Sequence, residues 1–371
     1  MIEAGGRSPR LPRVSVVLPI RNEISFIGRC LRSVLDQDYP ADRMEILVVD
    51  GMSTDGTRTV VQALLRRRPA GAPPAVRVLD NPAKIVPAAM NVALGDATGE
   101  VIVRVDGHAV LEPDYVRRCV VVLRATGSAC VGGIVETVGT GALGRAIAAA
   151  QSSRFGVGGV AFRTGRRLPG AVDTVAFGAY PRAVLTDIGG YDEELACNED
   201  DELNFRLQQA GGRIWYDPSI RARYFSRATL GRLWRQYYRY GLYKVLVAQK
   251  RGGFASPRHL VPAVFVAAAA ASGLVAVARR DARWTLPVLA PYASALVAAS
   301  HRSAQRTGTR PALVGAAFVV LHVAYGCGFL AGLERWRRPP HTDEDGTPRT
   351  DPCHIERLPR SSPSSTPTTS G

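Results

Sequence analysis

The 371-residue sequence predicts an α/β fold, an open and mostly parallel sheet flanked by helices and followed by apolar helices of membrane-spanning length. Three observations predict it. Short β-branched runs alternate with helix-periodic segments through the first hundred or so residues, as in a right-handed parallel sheet. Several of those runs end in polar, ligand-capable sequence. The last third then holds three charge-free, largely apolar stretches.

Taken in order, residues 1–13 are rich in Gly, Pro and Arg, lack a continuous apolar segment, and read as a disordered lead-in rather than a signal peptide. Residues 14–19 form a β-branched run suited to a central strand buried on both faces. Ile24, Ile27, Cys30, Leu31, Val34 and Leu35 then follow at helical spacing. The cycle repeats with a strand over 45–50, a small-residue loop over 51–56 and a helix from Thr57 to about Arg68. A third strand over 76–79 and a helix around 86–97 lead to the strand opening at Val101. Beyond it, the patterning predicts a helix over 115–124, a strand over 129–135 and a helix over 142–152. The glycine-rich run 155–160 follows no clear strand and reads as a mobile loop near the site more readily than as a phosphate cradle.

Three strand ends fall on one edge of such a sheet, where open α/β folds bind ligands. They carry Arg21, Asn22 and Glu23; Asp50; and Asp106 with His108. The last pair, a carboxylate and an imidazole, is metal-capable, although a capped strand end with a solvated Asp is the plainer alternative. Farther on, Asn198 precedes four consecutive acids, Glu199 to Glu202. An Asn cap with first-turn acids would explain some of that run. Four acids exceed what capping needs, and their mutual repulsion should raise at least one pKa, as suits a general base.

Of the net charge of +15, +10 lies between residues 212 and 258, immediately before the apolar third. A basic belt in that place reads as cytoplasmic juxtamembrane sequence facing anionic lipid rather than a nucleic-acid surface. Its segment 233–241 mixes aromatic and basic residues, as an interfacial helix or a pocket wall would. The stretches 260–278, 284–300 and 311–333 reach roughly 28, 26 and 34 Å as helices, near the ~30 Å of a bilayer core. The second, with Pro287 and Pro291, reads as spanning, kinked or re-entrant, and the Ala-rich first also admits a soluble helix. The expected division is therefore 14–252 catalytic, 253–338 membrane with two to three helices, and 339–371 a disordered tail. Six scattered cysteines suggest neither a zinc site nor a disulfide framework.

The stretches VSVVLPIRNE, EILVVDGMSTDGT, GEVIVRVDGH, VDTVAFGAYPR, NEDDELNFRL and RQYYRYG, in that order, resemble glycosyltransferase family 2 with its GT-A, Rossmann-like nucleotide-sugar-binding domain. The likeness is greatest to the membrane-attached branch typified by succinoglycan-biosynthesis enzymes. The resemblance implies that the turn from Pro19 through Arg21, Asn22 and Glu23, together with Asp50, holds the nucleobase and ribose, with Asp55 shaping the loop. Lys84 and Asn91 join the nucleotide side. Asp106 and His108 stand at the family's D-x-D metal motif and would hold Mn²⁺ or Mg²⁺. Asp200, after Glu199 in an E-D-x-[DE]-L pattern, would be the catalytic base, and Gln236 and Arg239 match Q-x-x-R-W with Tyr240 in place of Trp. His108 replaces an Asp, which softens the metal site, and Gly51 stands where many relatives carry another Asp.

The implied activity is inverting transfer from a nucleotide sugar, UDP-linked by preference, to a lipid-linked saccharide or polysaccharide. It would take place at the cytoplasmic face of the inner membrane, in exopolysaccharide biosynthesis, with no nucleic-acid partner. An idle membrane scaffold of the same fold and a nucleotidyltransferase are the alternatives.

Overall fold

The computed structural model describes residues 10–336 other than 166, 167, 227, 254 and 255. The lead-in over 1–9, the tail from 337 onward and Cys353 lie outside the described residues. Strands β1 (Val14–Ile20), β2 (Met44–Asp50) and β3 (Ala75–Asp80) alternate with helices α1 (Ile27–Leu35), α2 (Thr57–Arg66) and α3 (Val86–Asp96), and β4 (Val101–Arg104) follows. There follow β5 (Ala109–Leu111), α4 (Tyr115–Thr126), β6 (Cys130–Val138), α5 (Gly141–Gln151), α6 (Arg154–Val157), α7 (Ala161–Thr164) and β7 (Gly170–Ala171). The remaining elements are β8 (Ala179–Pro181), α8 (Arg182–Asp187), α9 (Glu199–Gln209), β9 (Ile214–Phe225), α10 (Leu230–Arg251), α11 (Val261–Arg279), α12 (Leu286–Thr307) and α13 (Pro311–Arg335).

The sheet runs β3-β2-β1-β4-β8-β6-β9-β5, with β7 on β9. Its first four strands are parallel, and Ile20, Asp50 and Asp80 stand level. All seven residues of β1 are buried, as a strand covered by helices on both faces must be. The sheet is thus mostly parallel, its long pairings parallel and its antiparallel ones short. The exceptions involve β8, which runs against both β4 and β6, and β9, against which β5 and β7 run.

Beyond the sheet, α10 is clamped by α13 at glycines. A Cβ on Gly241 would fall 2.1 Å from the Tyr325 carbonyl oxygen, and one on Gly328 would fall 2.0 Å from that of Tyr238. Small residues let the two backbones touch, the packing that apolar helices use where burial alone drives little. The opposite face of α10 binds the sheet domain, through Gln236 to Tyr224 Oη (3.3 Å) and Lys244 to Asp201. Segment 233–241 is therefore the start of a 22-residue helix with protein on two sides.

Three expectations change. Ile24 is 47% exposed and lies outside α1. The run 155–160 is no loose loop: it begins in the turn α6, and Phe155 packs edge-on against Phe318 and His322 of α13. The stretch 284–300 belongs to a helix that continues through Pro291 to Thr307, taking in His301, Arg302 and Arg306. Among the described residues two helices are long and apolar enough to cross a membrane, Pro257–Arg279 and Pro311–Arg335.

Because its new side chain would collide with backbone, Gly328→Val should destabilise by about 1–3 kcal/mol. At roughly 2–4 °C per kcal/mol for a chain of this size, a thermal unfolding scan of the detergent-solubilised protein should show a fall of several degrees. An unchanged Tm would count against the α10–α13 contact.

Candidate active site

The carboxyl ends of β1 and β2 are knitted into one loop system. Asn22, held at a left-handed φ of 55°, accepts from the Thr54 N–H through Oδ1 (2.8 Å) and donates its own N–H to Ser53 Oγ (3.0 Å). Asp50, 1% exposed, accepts from Ser53 N–H (3.1 Å) and Ser53 Oγ (2.6 Å). Asp55 accepts from the N–H groups of Ile24 (3.2 Å) and Thr57 (2.9 Å). Glu23 donates its N–H to Thr57 Oγ1 (2.7 Å), and Arg21 donates to the Lys84 carbonyl (3.3 Å). A Cβ on Gly51 would meet the Arg21 side chain at 3.2 Å, so a small residue there lets Arg21 lie across the loop. Pro19 lies inside β1, level with Val49, and the strand runs one residue past it to Ile20. Asn91 behaves differently. Its amide is spent on Tyr191 O, Tyr191 N–H and Glu193, each at 2.8 Å, which braces the loop ahead of α9.

Two residues past β4, Asp106 Oδ1 accepts from Arg104 Nε at 3.1 Å. His108 pairs through Nδ1 with Glu23 Oε1 at 2.9 Å and packs edge-on against Tyr224 with centroids 4.8 Å apart. Burial works against the imidazolium, but Tyr224, the Glu23 bond and the charges of Glu23 and Asp106 outweigh it and raise His108 to about 9. A carboxylate on one ring nitrogen is how proteins orient an imidazole that binds metal through the other. Among the described residues no group of three or more His, Cys, Asp or Glu could hold a metal ion by itself. Asp106 and His108 would hold a cation only with further ligands from a diphosphate and water, and only once the imidazole gives up the proton that Glu23 and Asp106 favour.

The acids that open α9 separate by partner. Glu199 accepts from Arg104 Nη2 at 2.9 Å, Asp201 lies between Lys244 and Arg251, and Glu202 pairs with Arg206 at 2.6 Å. Among the described residues Asp200 alone of the four has no ion pair, and its Oδ1 accepts only from the Asp201 N–H. Burial pushes Asp200 above the usual aspartate range; Arg104 and Lys244 oppose the rise, and Asp201 adds to it. Burial also raises Glu199, against Arg104 and with Asp200 and Asp106. For Asp201 burial is overcome by Lys244 and Arg251, and the carboxyl is lowered. Asn198 makes no cap bond; its amide donates to the Tyr240 carbonyl of α10 at 3.0 Å.

From α10, Gln236 donates to the hydroxyls of Tyr224 (3.3 Å) and Tyr240 (2.8 Å), so it reaches the His108 ring through Tyr224. Arg239 is exposed and donates to the Ala196 carbonyl at 3.2 Å, next to the acidic turn. Pattern reading missed Arg104, Lys244 and Tyr224. Arg104 did leave a signal, a charged residue inside an apolar strand with an acid two positions on. A groove of about 690 Å³ lined by Glu112, Asp114, Arg118, Glu136, Arg221 and Arg223 among others holds none of the site residues.

A model of the family described as Glycosyl transferase family 2 matches residues 15–177. The chain is 32% identical over 329 residues to succinoglycan biosynthesis protein ExoA of Rhizobium meliloti (strain 1021), covering 87% of this chain and 96% of that protein. It is 26% identical over 243 residues to a dolichyl N-acetyl-alpha-D-glucosaminyl phosphate 3-beta-D-2,3-diacetamido-2,3-dideoxy-beta-D-glucuronosyltransferase of Methanococcus voltae, across 64% and 74% of the two chains. Among solved structures, the mannosyltransferase PcManGT from Pyrobaculum calidifontis, in complex with GDP-Man and Mn²⁺, superposes with a TM-score of 0.59 at 23% identity. That match covers 84% of this chain and 87% of the other, and it shows that the fold is shared.

Asn91→Ala removes a loop brace and leaves the strand-end loops intact. We expect a loss of roughly 1–3 kcal/mol of stability with nucleoside diphosphate affinity within about threefold of the parent by calorimetric titration, a change under 1 kcal/mol. An affinity loss beyond tenfold with unchanged stability would return Asn91 to the nucleotide side.

Proposed function

This chain belongs to glycosyltransferase family 2, so it moves sugar from a nucleotide-sugar donor, and we propose an inverting transfer, with Asp200 as base, to a lipid-linked saccharide or polysaccharide at the cytoplasmic membrane face. The observation that carries the reading is the state of Asp200. It is buried in the first turn of α9, raised by that burial, and has no cation partner among the described residues. A carboxylate so placed is costly to keep ionised and ready to take a proton, which an idle scaffold has no reason to maintain.

In the proposed reaction Asp200 accepts the acceptor hydroxyl's proton as that oxygen attacks the anomeric carbon. The bond to the nucleoside diphosphate breaks on the opposite face. The Arg21–Glu23 turn and Asp50 receive the nucleoside, with Asp55 and Ser53 holding the loop in shape. A divalent cation, Mn²⁺ or Mg²⁺, held by Asp106 and His108 would neutralise charge on the departing diphosphate. Arg239, exposed beside the acidic turn, supplies a second positive group there, and Gln236 sets the Tyr224 wall behind His108. UDP-sugars lead the donor screen, with GDP-sugars beside them because a structure of the same fold carries GDP-Man. By analogy with ExoA, the product belongs to exopolysaccharide assembly.

Attachment to the membrane is assigned to the C-terminal helices. α11 exposes Val261, Val264, Leu274 and Val277 at 64–78% each, an apolar surface that water would not tolerate on a lone soluble domain. α13 is more covered, lying against α10 and α5. If α11 is in lipid, the full chain should stay in the membrane pellet after alkaline carbonate extraction; quantitative release would overturn the assignment.

Asp200→Asn should lower transfer by at least 10²–10⁴-fold while leaving nucleoside diphosphate binding within about threefold. In the parent, kcat/KM should fall on acidification through a pKa above the ~3.9 of a free aspartate, because the base must be ionised. The linked stability has the opposite sign from a salt-bridged acid. A carboxyl raised on folding costs stability once ionised, at pH above its folded value. Asp200→Asn should therefore raise Tm at pH 7. Near-normal turnover, or a lowered Tm with retained activity, would sink the base assignment.

A further inference from the structure

Arg104 is 9% exposed at the end of a central strand and carries one positive charge shared by two carboxylates. Its Nε donates to Asp106 Oδ1 at 3.1 Å and its Nη2 to Glu199 Oε1 at 2.9 Å. Nη1 is buried with no hydrogen-bond partner. Asp106 is the carboxylate assigned above to the cation, and Glu199 has its charge committed to the guanidinium. Asp106 Oδ1 is consequently claimed from two directions.

We propose that Arg104 and Glu199 are a positioning pair that sets the cation affinity of Asp106, so that an acid on α9 tunes a metal site it does not touch. The inference rests on the reading of Asp106 as a cation ligand. A guanidinium beside a carboxylate weakens it as a ligand for a dication, by drawing its electron density and by repelling the metal. Glu199 offsets that effect by taking up part of the guanidinium's charge and one of its donors. The sign of each substitution then follows. Glu199→Gln keeps the shape and an acceptor for Nη2 but removes the negative charge, leaving Asp106 as the guanidinium's one ion-pair partner among the described residues, so cation binding weakens. Arg104→Met combined with Glu199→Gln removes the guanidinium together with the charge that balanced it, so cation binding recovers. A purely structural role for the pair predicts no such recovery, since the double variant loses more of the contact than the single one.

The test is electron paramagnetic resonance titration of Mn²⁺, alone and with UDP, on the detergent-solubilised full chain, with thermal unfolding as a check on folding. Glu199→Gln should weaken Mn²⁺ binding roughly tenfold, and the double variant should return to within about threefold of the parent, on the scale expected for a charge of this kind moved near a partly buried dication. If Glu199→Gln does not fold, Glu199→Asp keeps the charge but draws it back from Nη2 and should weaken binding in the same direction. Parent-like Mn²⁺ affinity in the folded single variant would overturn the proposal, as would a double variant as weak as the single. Asp106→Asn separates the two levels. Loss of Mn²⁺ binding there, with no response to Glu199, rejects the tuning pair and keeps the ligand, whereas retained binding rejects the ligand reading itself.

Discussion

A guanidinium taken out of water at the end of a central strand has to be neutralised by acids brought to it, and much of the site follows from that requirement. Arg104 meets it with one carboxylate from its own loop and one from α9, ninety-five positions away in sequence. The cost of leaving that charge unpaired fixes α9 over the carboxyl edge of β4. The antiparallel β8, hydrogen-bonded to β4, brings the chain back to the same place by a second route. The Asp106 loop and the acidic turn are thereby parts of one charged cluster rather than two neighbouring motifs.

The same electrostatics sorts the acids of α9. Four negative charges in one turn repel, and a fold can relieve that by supplying cations. Here α10 supplies Lys244 and Arg251 to Asp201, β4 supplies Arg104 to Glu199, and α9 itself supplies Arg206 to Glu202. Asp200 is left out, and burial raises it. Its reactivity is defined by the partners its neighbours hold.

Much of the parallel half was legible in the sequence because its signals are local. β-branched runs at 14, 45, 76 and 101 mark the strands, with Asp50 closing the second and Asp106 two residues past the fourth. The expectation that Asp200 is the base rests on a local pattern as well. What pattern reading could not supply depends on contacts across the fold. Asn91 looks like a nucleotide-side residue by position, yet its amide is consumed by a loop a hundred residues on. The run at 155–160 looks loose by composition, but α13 packs on it, and no local signal encodes that partner. The end of the second apolar stretch was misplaced for a related reason. Its two prolines suggested a kinked or re-entrant segment, whereas the helix runs through Pro291 and onward to residues that pack on α5 and α13.

The helix α10 ties the candidate site to the long apolar helices of this chain. One face lies within backbone contact of α13 at Gly241 and Gly328, so side-chain bulk there is excluded. The other face carries Gln236 to Tyr224, whose ring rests on His108, and Lys244 to Asp201, next to Asp200. Asn198, at the entry to α9, donates to the α10 backbone as well. A shift of α13 against α10 would therefore disturb both ends of the candidate site together, His108 through Tyr224 and the acidic turn through Asp201. Bulky apolar residues at the crossing would seal it as well against lipid, but would push the backbones apart. Glycine at Gly241 and Gly328 lets them stay in backbone contact.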